Sequence, residues 1–156
     1  MSLKKYKPYL ISIAIPLAVG SLSAFFTIKG MPYYDMQKKP FFTPPNALFP
    51  IVWTVLYILM GVSAAKVWLS DDPDKIQALK VYALQLAVNF FWSVLFFGLH
   101  QYFLAFLWLI LLIFCVGKMI YTFAQTNKTA ARLQIPYFLW CCFAAILNFG
   151  VWWLNR

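Results

Sequence analysis

"KPFFTPPNALFPIVWTVLYILMG" spans Lys39 to Gly61 and sets four prolines, Pro40, Pro44, Pro45 and Pro50, at the entrance to an apolar run. The run carries no charge, and Trp53 and Tyr57 stand one helical turn apart within it. A bilayer core takes about 20 mostly apolar residues per helix, so the stretch reads as the start of a membrane span. Asn46 is a candidate N-cap for that helix. Pro50 then falls near its fourth position, where it removes an early backbone bond and bends the entry.

The same reading extends to both sides. Apolar segments long enough to cross a bilayer fall at about residues 9–28, 46–68, 77–99, 102–124 and 133–154. The fold class is therefore an all-α membrane protein, a five-transmembrane-helix bundle, with residues 1–156 as a single domain. Pro16 should bend the first span, and Pro136 falls in the tolerant first turn of the fifth. The connections are Lys29–Pro45, Ser70–Lys75, His100–Gln101 and Gln125–Arg132, and only the first is long. Lys4, Lys5 and Lys7 precede the first span in the order of a signal peptide, but that span is too long for one and reads as retained. No internal repeat appears, which argues against a transporter of two matching halves.

Composition agrees. Of 156 residues 63% are hydrophobic and 11% charged, where a soluble domain carries about 25% charged residues. The net charge of +9 does not indicate nucleic acid, because the cations lie in the short connections between apolar runs. Lys4, Lys5, Lys7, Lys66, Lys75, Lys80, Lys118, Lys128 and Arg132 fall on one side of a five-span path. Lys29, Lys38, Lys39 and Arg156 fall on the other. The excess places the N-terminus inside, with Lys29, Lys38 and Lys39 opposing it. Trp68, Tyr102, Trp152 and Trp153 read as interfacial anchors.

Acid–base and metal chemistry find little support. Glutamate is absent, the four aspartates lie in loops, and His100 is the single histidine, read as a solvated turn residue. There is no Ser–His–Asp set, no metal-ligand spacing and no axial ligand for a haem iron within a span. Cys115, Cys141 and Cys142 all lie in apolar runs and read as packing residues.

The informative polar groups are on the third span. Gln85, Asn89 and Ser93 recur every fourth residue and share one helix face. Gln85 reads as an interhelical hydrogen-bonding residue, while Asn89 and Ser93 serve either packing or a pocket. Trp53, Tyr57 and Gly61 align on the second span; Trp140, Ala144 and Asn148 align on the fifth. These faces make either a packed aromatic core or a cavity for a flat, mostly apolar ligand with a few polar atoms.

Three stretches carry a family resemblance: "KPFFTPPNALFPIVWTVLYILMGVSA", "QLAVNFFWSVLFF" and "PYFLWCCFAAILNFGVWWLN". In order and spacing the chain resembles the bacterial TspO/MBR family of tryptophan-rich sensory or translocator proteins. The resemblance implies a five-helix bundle, commonly a homodimer, in the bacterial cytoplasmic membrane. It implies binding of porphyrins such as protoporphyrin IX, and of isoquinoline carboxamide or benzodiazepine-type ligands, with no resident cofactor and a link to stress and tetrapyrrole regulation. The family's pocket pattern falls on Tyr34, Pro44, Trp53, Asn89, Ser93, Trp140 and Ala144. Trp53 and Asn89 would donate hydrogen bonds to a ligand. An enzyme that breaks down protoporphyrin in light is the alternative, with Trp53 and Trp140 as its reactive tryptophans; a ligand-free structural protein is a third. The sterol-recognition tyrosine of animal members is replaced by Phe149, so strong cholesterol binding is not expected. The proline-rich loop 29–45 would either close the bundle as a lid, with Tyr34 above Trp53, or simply join two elements. Of three small-residue steps, Gly20/Ala24, Gly61/Ala65 and Ala83/Ala87, the last is the expected dimer face.

Overall fold

The computed structural model describes residues 3–156. The chain forms α1 (Leu3–Asp35), α2 (Leu48–Trp68), α3 (Lys75–Ser93) with a π-helical turn at Val94–Gly98, α4 (Tyr102–Thr126), α5 (Lys128–Leu133) and α6 (Ile135–Asn155). Five helical segments are long and apolar enough to span a membrane, and no strand occurs among the described residues. The all-α, five-span reading of the sequence therefore holds, and the protein is an integral membrane protein.

α4 packs one face against α3 and α6. Tyr102, Ala105, Leu109, Leu112, Val116, Met119 and Phe123 recur at spacings of three and four residues, and all are buried between α3 and α6. α1 lies across the outside and reaches the bundle through glycines. A Cβ on Gly61 would strike the backbone of Ile13, one on Gly20 the ring of Tyr57, and one on Gly30 the carbonyl of Phe97. The Ser12 hydroxyl donates to the Gly61 carbonyl at 2.7 Å and fixes the lower crossing.

Several boundaries differ from the sequence reading. α1 runs on to Asp35, so residues 29–35 are helical and the loop is only residues 36–47. Close packing of Gly30 on the π turn outweighs the helix-weakening of Gly30 and Pro32. Asn46 is not the cap of α2. Ala47 occupies that position with no side-chain bond, and the Asn46 amide instead donates to the Asp35 carboxylate at 2.8 Å. Pro50 is the third residue of α2, inside the turn whose N–H groups have no intrahelical partner, so its missing donor costs nothing.

The third span ends in the π turn, where Leu99 N–H donates to the Val94 carbonyl at 2.8 Å. His100 closes it with φ 56°, an uncommon left-handed conformation for a residue with a Cβ. Its ring lies 3.9 Å from that of Tyr33 and its Nδ1 is buried, so it is a packed residue and not a solvated one. Tyr102 is likewise buried, beneath Phe96, and does not anchor an interface. The fifth span is preceded by α5, capped by the Asn127 side chain accepting from Ala130 N–H at 2.9 Å. Ser63 on α2 ties α5 down through the Ala130 carbonyl at 2.7 Å.

Candidate ligand cavity

A cavity of about 560 Å³ lies between α1, α2, α3 with its π turn, and α6. Its walls are apolar and aromatic: Trp53 and Tyr57 from α2, Trp92 from α3, Phe96 and Phe97 from the π turn. Among the described residues no charged one lines the cavity. No cluster of metal-ligating side chains occurs among the described residues. The wall between α1 and α2 is incomplete, with lining residues Ala24, Ile28, Pro50 and Thr54 also exposed on the outer surface.

Polar groups are few and mostly held. Asn89 donates to the Tyr137 hydroxyl at 2.7 Å, and that hydroxyl donates to Gln85 Oε1 at 2.7 Å. All three residues are almost fully buried. The Trp92 indole donates to Asn148 Oδ1 at 3.0 Å, and the Asn148 amide donates to the Tyr102 carbonyl at 2.8 Å. These two networks join α3 to α6 and fix the walls. Asn89 keeps its carbonyl and one N–H for the cavity. The Trp53 ring is stacked on Tyr57 at 5.5 Å and meets Tyr137 edge-on at 6.2 Å. Those contacts fix the indole, whose N–H has no protein acceptor among the described residues.

Of the residues singled out from sequence, Tyr34, Trp53, Asn89, Ser93 and Ala144 line this one space. Tyr34 does so from the last turn of α1, not from the loop, and packs on Phe96 and Phe97. Pro44 and Trp140 do not line it. Trp140 is held between Phe49 and Phe143, at 6.0 and 5.5 Å, with its indole N–H buried and without a partner. Gln85 makes the interhelical bond expected of it. Tyr137 is the residue the sequence reading passed over; it shares a face of α6 with Cys141, Ala144 and Asn148, and that three-and-four spacing is the signal that marks it. The loop contributes Asn46. It is strapped to α6 by reciprocal bonds between Lys38 and Asn155, at 2.9 and 2.8 Å, and by Pro40 seated on Gly150.

The sequence model of the TspO/MBR family matches residues 12–154. The chain is 37% identical to the Protein CrtK of Rhodobacter capsulatus, over 99% of this chain and 95% of that one. It is 39% identical to the Tryptophan-rich protein TspO of Chlorobaculum tepidum, over 92% of each. Similarity extends to the Translocator protein of Sus scrofa, 33% identical over 96% of this chain and 92% of that one.

Proposed function

From the premise that this chain belongs to the TspO/MBR family, we propose that it is a membrane receptor or sensor for porphyrins, with protoporphyrin IX as the reference ligand and isoquinoline carboxamide or benzodiazepine-type molecules as synthetic ones. A membrane sensor or receptor role is what the family and its translocator relatives support; the ligand class is our reading. The observation that carries it is the uncharged aromatic cavity of about 560 Å³, inside the range of roughly 300–1,000 Å³ common to small-molecule sites.

The ring of a flat tetrapyrrole suits walls made by Trp53, Trp92, Phe96 and Phe97. The free indole N–H of Trp53 and the amide of Asn89 supply directional contacts in a water-poor space. Carboxylates have no partner on these walls, so they remain at the loop end beside Asn46. Titration of the purified protein with protoporphyrin IX, followed by absorbance, tests the reading. Saturable binding at one molecule per chain is expected; its absence overturns the proposal.

Light-driven breakdown of the bound porphyrin is a second reading, favoured by the stacked Trp53–Tyr57 pair on the cavity wall. The excited porphyrin would supply the photochemistry, dioxygen would be the oxidant, and Trp53 would be an oxidisable side chain on the cavity wall. Illumination at matched occupancy separates the readings. A lower product yield in Trp53→Phe supports chemistry at the indole, and an equal yield leaves Trp53 as a binding residue.

A further inference from the structure

The late half of α6 and the loop enclose a surface groove outside the cavity. Phe41 and Phe42 form one wall; Ile146, Phe149, Trp153 and Leu154 form the other; Pro40 on Gly150 makes the floor. Phe41 is 99% exposed, so an aromatic ring is presented where nothing in the protein covers it. Apolar surface alone would mean only a lipid-facing side. The charge at the groove's end makes it selective.

Lys39 lines the groove, and Lys38 stands beside it with its backbone bonded in both directions to Asn155, next to Arg156. The Arg156 guanidinium lies 3.5 Å over the ring of Trp153, a groove residue, and uses only its Nε–H, to the Trp153 carbonyl. Lys39 is already committed to the Tyr34 and Asp35 carbonyls at 3.4 and 3.3 Å. Lys38 and Arg156 are both exposed, and their remaining N–H donors have no carboxylate partner among the described residues. These are among the cations that oppose the charge bias of the chain. A structural device to hold the loop needs only the backbone of Lys38, not its ammonium.

We propose that this groove binds an anionic phospholipid, with one acyl chain laid between Phe41/Phe42 and α6 and the headgroup phosphate held by Lys38 and Arg156. An acyl chain matches the apolar lining of the groove, and arginine over an aromatic ring keeps its outer N–H edge for phosphate oxygens. Two cations near a membrane surface are expected to favour an anionic over a zwitterionic lipid by roughly 10- to 30-fold. The site is independent of the cavity, since the two share no lining residue.

The test uses the full chain in lipid nanodiscs doped with a small fraction of brominated-chain phosphatidylglycerol or, separately, brominated-chain phosphatidylcholine. Bromine quenches tryptophan at short range, and Trp153→Phe assigns the signal to the groove. We expect the Trp153 component to be quenched at roughly 10- to 30-fold lower mole fraction of the glycerol lipid. That preference should fall as salt rises and disappear in Lys38→Gln/Arg156→Gln with helicity unchanged. Equal quenching by the two lipids overturns the proposal, as does a preference that survives the double variant. The salt arm uses the native protein and stands even where the variant misfolds; a preference indifferent to salt refutes the headgroup contact. Full displacement by soluble glycerol phosphate would make this a phosphate site, and the lipid proposal would fall.

Discussion

Two side chains at the cavity wall have separable duties. Trp53 offers an N–H that no group among the described residues accepts, and its ring is fixed by Tyr57 and Tyr137. Asn89 shares its amide between the cavity and the Tyr137 hydroxyl. A neutral hydrogen bond contributes about 0.5–1.5 kcal/mol net, and 1.4 kcal/mol is a tenfold change in affinity. Trp53→Phe and Asn89→Leu are therefore each expected to weaken protoporphyrin binding several-fold to tenfold, read by absorbance titration. Unchanged affinity in both would place the ligand elsewhere. Gln85→Leu acts differently. Gln85 accepts from Tyr137 and does not line the cavity, so the substitution should lower thermal stability by about 1 kcal/mol, with affinity nearly intact. A large affinity loss without destabilisation would contradict that division. Polar residues four apart on α3 were legible as a stripe from the sequence. Their opposite number, Tyr137, was not, because a tyrosine in an aromatic-rich span carries no mark of its hydroxyl's partner.

Elements in this bundle meet through what glycine leaves out. α1 crosses α2 where Gly61 faces the Ile13 backbone, so Gly61→Val must push two helices apart. Overpacking of this kind costs about 1–3 kcal/mol, and thermal unfolding in detergent should report a loss of that size. A native melting curve would mean that α1 shifts freely at this crossing. The same contacts narrow the choice of dimer face. Gly20 and Gly61 are consumed within the chain, and Ala65 is fully buried, whereas Ala83 and Ala87 on α3 are exposed. Ala83→Leu or Ala87→Leu should shift a dimer toward monomer in light-scattering measurements; an unaltered dimer in both variants points to another surface. Hydropathy located the five spans because burial in lipid imposes length and apolarity on each. It missed the extension of α1 through Gly30 and Pro32 and the π turn at Val94–Gly98. Both are set by packing between segments distant in sequence, which a local pattern does not record.

At the scale of the whole molecule, the cavity belongs to no single part of the chain. Leu17 to Tyr34 on α1 form one side, and Ala144, Leu147, Asn148 and Val151 on α6 form the opposite one. The loop is strapped to the end of α6 and supplies Asn46 at the cavity's edge. α4 packs on α3 and α6 and holds these walls in place without itself lining the enclosed space. The order of synthesis therefore matters to this arrangement. The first span leaves the ribosome long before α6, so the binding space does not exist until α6 has been made. A chain made without cell extract's release step and halted before Ile135, inserted in nanodiscs, should show no saturable porphyrin binding, whereas one ending at Arg156 should. Equal affinity of the two would mean that the first four spans suffice. A ligand of this cavity can therefore stabilise only chains that already carry α6: it can slow their turnover, but it has nothing to hold while the earlier spans are being made.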